Sequence, residues 1–272
     1  MKKFELTNEF ITNSYGVKLF RIKALVEFRD VEAGELGGYI EKEGNLNHNG
    51  DAWVFGNAQV SGNAWVSGNA RVFDDAWVSG NARVFDDAQV SGNAWVSGNA
   101  WVSGNARVFD DAQVSGDAQV SGYAYVSGNA YVSGDAQVSG NARVFDDAWV
   151  SGNARVFDDA HVCGYAYVSG NAHVCGYAYV CGDAHVCGDA LVCVDEDYAY
   201  AHGFGSINRT TTFFRIKDGG VGVWCGCFYG TLQEFRSRVW ETHKETKKAQ
   251  EYLMLVDLME FRFKKHFNER NL

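Results

Sequence analysis

Alanine returns at every sixth position from Ala52 to Ala190, and valine at every sixth from Val54 to Val192. Each series has 24 members without one insertion or deletion. So strict a period requires an architecture that repeats a single backbone conformation. The unit reads Gly-Asn/Asp-Ala-x-Val-Ser. In Ala-x-Val two apolar residues flank an outward one, the period-two pattern of a short strand. Gly-Asn or Gly-Asp supplies the corner, where positive φ is cheap for Gly and tolerable for Asn and Asp. The chain has 31 Gly and no Pro, as a hexad that tolerates no break demands. Strand, corner, strand, corner is the pattern of a parallel β-helix built from hexapeptides.

The motif Val-Ser-Gly-Asn-Ala-x resembles the aliphatic–x–x–x–small–x hexapeptide of left-handed β-helices. That resemblance implies a left hand and three hexads per triangular coil, hence eight coils of 18 residues. At about 4.8 Å per stacked strand, the prism is roughly 40 Å long. The predicted fold is thus mainly β: a left-handed parallel β-helix over 50–193, with an N-terminal β cap over 1–49. A linker or terminal coil is expected at 194–204, and a small α+β module over 205–272. In the cap, strands are expected near Val17–Leu25. In the module, Arg209–Lys217 and Val221–Tyr229 alternate around Asp218-Gly219-Gly220, a hairpin signal. Thr231-Leu-Gln-Glu234 reads as a capping box opening a helix. A second, amphipathic helix is expected from about Lys247 to Phe267, with Leu253, Leu255, Val256 and Met259 inward.

The net charge of −10 is located in the repeat: residues 50–193 hold 15 Asp, 5 Arg and no Lys or Glu. The flanks sum to zero, with 7 basic and 8 acidic residues in 1–49 and 12 and 11 in 194–272. Direct nucleic-acid binding by the solenoid is therefore not expected. Neither a signal peptide nor an apolar run of membrane-spanning length is read in the chain. The seven cysteines, odd in number and clustered late, do not read as a secreted disulfide framework. A reduced, cytoplasmic setting (a bacterial host cell, or a virion) is the expectation.

With three hexads per coil, residues 18 apart stack in columns. Column one runs Trp53, Arg71, Gln89, Arg107, Tyr125, Arg143, His161, Tyr179. Column two is Gln59, Trp77, Trp95, Gln113, Tyr131, Trp149, Tyr167, His185; column three is Trp65, Arg83, Trp101, Gln119, Gln137, Arg155, His173, Leu191. Arg83 between Trp65 and Trp101, and Tyr125 between Arg107 and Arg143, are placed for cation–π stacking. The columns read either as ladders on a solvated face or, for column two with Trp77, Trp95, Tyr131, Trp149 and Tyr167, as a subunit or partner interface. Five corners carry a cassette, Arg-Val-Phe-Asp-Asp, whose acidic pairs are Asp74 and Asp75, Asp86 and Asp87, Asp110 and Asp111, Asp146 and Asp147, and Asp158 and Asp159. No such corner sits directly above another. These pairs are corner chemistry beside a neutralising Arg, or else spaced charge that mimics a nucleic acid.

Cys163 stacks on Cys181 and Cys175 on Cys193, at a spacing within disulfide range, but with parallel side chains poorly aimed for bonding. Cys225-Gly-Cys227 is expected on one strand with both thiols on the same face, a weak metal signal without a second pair. His161, His173 and His185 fall on three different faces and cannot converge within a monomer. No catalytic residue, cofactor or metal site is assigned.

The segment Ala24-Leu25-x-x-Phe28-Arg29-Asp30-Val31-x-Ala33-Gly34-x-Leu36-Gly37-Gly38-Tyr39-Ile40, followed by Asn45-Leu46 and the hexads, resembles bacterial and prophage β-helix proteins of the YdcK-like type. Such proteins are often labelled transferases by fold analogy, and no catalytic motif carries over onto a position here. Lys217-Asp-Gly-Gly…Cys225-Gly-Cys227-Phe228…Gly230-Thr231 resembles a module found at the ends of phage-borne proteins. The reading that results is a non-enzymatic structural or protein-binding rod. Its C-terminal module, with basic positions Arg262, Lys264 and Lys265, is the recognition or oligomerisation element. An acyltransferase-like trimer and an acidic mimic of nucleic acid are the alternatives. A protein partner or self-association is implied, and no membrane.

Overall fold

The computed structural model describes residues 2–205 and 209–269, with side chains as far as Lys264. Three strands open the chain: β1 (Phe4–Thr12), β2 (Lys18–Ala24) and β3 (Leu36–Ile40). The next 24 strands, β4 to β27, are two-residue x-Val pairs at six-residue intervals, from Trp53–Val54 to Leu191–Val192. They stack in three parallel sheets with partners 18 residues apart, such as Gln89 on Arg107, Trp95 on Gln113 and Trp101 on Gln119. The three columns expected from the spacing are these three sheets. Upstream, Tyr39 pairs with Gln59 and Leu46 bridges Val66, which adds a partial coil and gives about nine turns.

Every Ala and Val of the two series is buried at 1% exposure or less. The prism interior is therefore a column of alternating small and branched side chains. Each Val contributes about 1.5–3 kcal/mol by burial. The corners are held at positive φ, by Gly in most coils and by Asp74, Asp86, Asp110, Asp146 and Asp158 in the five cassettes.

The first coil is sealed by the cap. The Lys3 ammonium donates to the carbonyls of Gly50 and Ala52, and its burial pulls its pKa down to about 8 against the opposing charge of Asp51. Phe4 and Phe28 pack against Trp53, which is fully buried. Trp53 thus leaves the outward column expected of it, because the cap folds over its face. Strand β1 was not anticipated. It pairs with β2 and widens the column-two sheet to 11 strands.

At the other end the chain forms a four-stranded antiparallel sheet: β28 (Tyr198–Phe204), β29 (Arg209–Arg215), β30 (Val221–Cys225) and β31 (Phe228–Thr231). Helices α1 (Leu232–His243) and α2 (Lys247–Glu269) follow. The stretch 194–204, expected as linker or terminal coil, instead supplies a 3-10 turn (Asp195–Asp197) and the first strand of this sheet. The capping box is present: the Glu234 amide donates to Thr231 Oγ1, and the Thr231 amide donates to Glu234 Oε2. Alternation along β29 divides its side chains between two cores. Phe213 joins Phe235, Tyr252, Val256 and Met259 under the helices, while Phe214 packs into the solenoid core.

Candidate functional site

The aromatic column is largely occupied with itself. Trp77 and Trp95 stack with centroids 5.3 Å apart and planes 9° apart. Tyr131, Trp149, Tyr167 and His185 follow at 5.5 to 5.7 Å, and Trp224 of β30 stacks on His185 at 5.7 Å. Each indole N–H of Trp77, Trp95 and Trp149 donates to a serine hydroxyl one coil back, Ser61, Ser79 and Ser133. The rings therefore meet one another along the rod axis, face to face at Trp77 and Trp95 and edge-on at Trp149 and Tyr167. Ladder stabilisation accounts for the geometry, leaving ring edges at the surface. Of the stacks expected around arginine, Arg83 lies 5.2 Å over Trp101, and Arg107 and Arg143 lie 5.5 and 5.7 Å from Tyr125; the contact expected between Arg83 and Trp65 is not among them.

The acidic corners follow one scheme in all five cassettes. The first Asp accepts the amide N–H of the glycine one coil on: Asp74 from Gly92, Asp86 from Gly104, Asp110 from Gly128, Asp146 from Gly164 and Asp158 from Gly176, at 3.1 to 3.2 Å. The second Asp accepts from the asparagine one coil back: Asp75 from Asn57, Asp87 from Asn69, Asp111 from Asn93, Asp147 from Asn129 and Asp159 from Asn141. In four of the five, Phe meets the ring of the next coil nearly edge-on, as Phe109 meets Tyr125 and Phe85 meets Trp101. The cassette is a bracket between coils. Its Asp residues are spent partly on backbone and amide groups, which the spacing alone did not reveal.

His161, His173 and His185 stand in three different sheets, and burial is the main cause that lowers the pKa of each. Cys163 stacks on Cys181 and Cys175 on Cys193 in parallel register, Cα atoms 4.7 and 4.3 Å apart. This is the stacked register expected from the 18-residue spacing. Cys187 is buried, and burial pushes its thiol up to about 12, which removes it as a nucleophile. Cys225 and Cys227 do not share a strand face. Gly226 at φ +60° turns the chain between them, leaving Cys225 buried against Thr211 and Cys227 exposed. Among the described residues no group of three or more His, Cys, Asp or Glu side chains could hold a metal ion.

An open groove lies in the C-terminal module. It encloses about 650 Å³ between the β29–β30 turn, the start of α1 and the end of α2, and is lined by Arg215, Val221, Leu232, Gln233, Glu260, Phe263 and Lys264, among others. Arg215 donates to the Phe263 carbonyl at 2.6 Å, and Gln233 to Glu260 at 2.8 Å. Of the three basic positions singled out from sequence, Lys264 is exposed at this groove. Arg262 instead reaches the Asp195 and Tyr198 carbonyls and ties α2 to the rod end. The side chain of Lys265 lies outside the described residues.

The module is also the cap of the rod. The His185 amide donates to Thr212 Oγ1, the Tyr179 amide to Asp195 Oδ1, the Cys181 amide to the Tyr198 hydroxyl and the Cys193 amide to Asp197 Oδ2. Ala190 bridges Ile216, and Lys217 Nζ donates to the Asn171 carbonyl. A rod truncated before residue 205 would lose Phe214 from its core, Thr212 Oγ1 as an acceptor, and the contacts of Ile216 and Lys217. The module is therefore not a detachable attachment.

Comparison with protein families gives one match. The model described as the YdcK beta solenoid repeat fits residues 64–80, 88–104, 100–116, 136–152 and 148–164, all within the solenoid. No curated protein matches the chain.

Proposed function

We propose that this YdcK-like β-solenoid repeat protein works as a structural, protein-binding rod whose C-terminal module is its recognition or oligomerisation element. The observation that carries the reading is the groove at Val221, Leu232, Phe263 and Lys264. It combines apolar lining with a few polar groups at a volume ordinary for ligand sites, on a non-repetitive surface. The rod supplies a rigid stem, its rings bonded and stacked on one another. A prophage origin and a cytoplasmic or virion setting belong to the same proposal; the first rests on the resemblance of Lys217–Thr231 to phage-borne modules. No described helix is long and apolar enough to cross a membrane.

An acyltransferase-like trimer would need a pocket between protomers, and the 24 hexads carry no insertion to build one. The cassette Asp pairs bracket neighbouring coils, a structural use that accounts for their placement without an acidic mimic. Retention of a host partner by the full-length protein tests the proposal. The double variant Gln233→Lys, Lys264→Glu is expected to lose the partner, and Tyr131→Ala, Trp149→Ala to keep it. The reverse outcome would move recognition to the rod and overturn the assignment.

A further inference from the structure

Helix α2 buries Ala249, Tyr252, Val256, Met259 and Phe263 toward the sheet. On its opposite side Met254, Leu258 and Phe261 are 71, 55 and 72% exposed. Spacings of four and three residues place these three in one stripe along the helix. Large apolar side chains in helical register facing solvent mark an interaction surface.

Two observations indicate a second copy of this chain as the occupant. The first is charge. Glu251 and Asp257 border the N-terminal half of the stripe, Arg262 and Lys264 the C-terminal half. Internal partners hold three of them in place: Gly205 and Lys247 at Glu251, Arg236 at Asp257, and the Asp195 and Tyr198 carbonyls at Arg262. An antiparallel helix pair sets acidic halves against basic halves; a parallel pair sets like against like. The second is the charge of the surroundings. The −10 of the protein resides in the solenoid, while 194–272 holds 12 basic and 11 acidic residues. Two copies that meet through this module meet on a charge-balanced segment, not on the acidic one.

We infer that α2 packs antiparallel against α2 of a second copy about a two-fold axis near Leu258, with Met254 of each copy on Phe261 of the other. Such a contact is isologous and closes at two copies, and its centre is a sulfur–aromatic pair made twice. The inference deepens the reading of the C-terminal module as an oligomerisation element and rests on it. The stripe exposes roughly 400 Å² per copy, at about 150–250 Å² for each large side chain, below the ~800 Å² per partner of a standard stable interface. The dimer is therefore concentration-dependent.

Light scattering on the full-length protein across a concentration series tests this. The mass should rise from 30.0 kDa toward twice that value. Leu258→Glu, and independently Phe261→Arg, should stay at the single-chain mass, with the parent's unfolding midpoint at dilutions where the parent is also single-chain. Orientation is read by cross-linking: under mild oxidation Leu258→Cys should link to itself and Lys247→Cys should not. A single-chain mass for the parent at every concentration, or equal masses for parent and both variants, overturns the pairing. Self-linking of Lys247→Cys overturns the antiparallel arrangement. Partner retention by Leu258→Glu separates the two readings: a monomeric parent whose partner binding still depends on Lys264 refutes the dimer and leaves the groove standing.

Discussion

Asp110 sits one coil before Gly128 and takes the Gly128 amide N–H into its carboxylate at 3.2 Å. Neighbouring corners approach closely, so side chains on two stacked corners would crowd. A Cβ built on Gly92, the corner one coil before Asp110, would lie 2.8 Å from the Asp110 nitrogen and 3.0 Å from its Cα. Gly140 before Asp158 is as tight, whereas Gly104 before Gly122 leaves 3.0 Å to nitrogen and 3.4 Å to Cα. Gly56 before Asp74, at the first coil, is the loose exception at 3.8 Å.

Gly92→Asp would therefore put three aspartates in consecutive corners. It is expected to destabilise the rod by about 2 kcal/mol or more, through overpacking and like-charge repulsion. Gly104→Asp, with glycine one coil on, should cost less. Urea unfolding of the two variants under identical salt decides the order, and equal midpoints would refute the packing account.

Phe214 ties the module to the rod from the buried face of β29. Phe214→Ala is expected to lose about 3–5 kcal/mol locally and to loosen the cap at His185 and Ala190. Hydrogen exchange should then rise at the last coils and in β28–β30 together, while the middle coils keep their protection. Increased exchange confined to the helices would disprove the docking role.

The buried Lys3 ammonium makes the N-terminal cap sensitive to alkali. Its pKa is about 8 when folded, against an unfolded value near 10.4. Between those values the unfolded chain holds the proton that the folded chain has released, so stability rises with pH across that window. Lys3→Met should abolish this part of the rise. An unchanged pH slope from 8 to 10 in the variant would show that Lys3 does not carry it.

His185 acts in the opposite range. Burial lowers its pKa, with the Asp183 charge opposing, so the folded state favours neutral imidazole. Stability should be complete above the unfolded value of about 6.5 and decline as pH falls below it. His161 and His173 are shifted the same way, so His185→Gln is compared with the parent. The variant should show the smaller loss between pH 7 and 5 in thermal unfolding, and a loss equal to the parent's would exonerate His185.

The solenoid was legible because its period is its geometry. Ala and Val at fixed intervals name both the interior and the coil length, and the stacking of Arg83 on Trp101 follows from counting 18. The ends were not legible to the same degree. Trp53 carries the same local signal as Trp65, yet Phe4 and Phe28 cover one ring and leave the other exposed. Likewise Cys225-Gly226-Cys227 reads as strand until Gly226 takes positive φ and the chain reverses. The groove draws Arg215, Leu232 and Phe263 from three elements far apart in sequence, and no local pattern announces such a meeting. Nor does spacing disclose that an Asp pair reaches one coil forward and one coil back.

Closure of the coil at 18 residues has a consequence for how such a protein can change length. Removing 18 residues from the middle would shorten the stem by one step of about 4.8 Å and leave both caps pointing as before. Removing six would delete one strand, keep the hexad phase of the rest, and swing the C-terminal module onto the neighbouring side of the prism. Length and heading are thus separately adjustable, one by whole turns and the other by thirds of a turn.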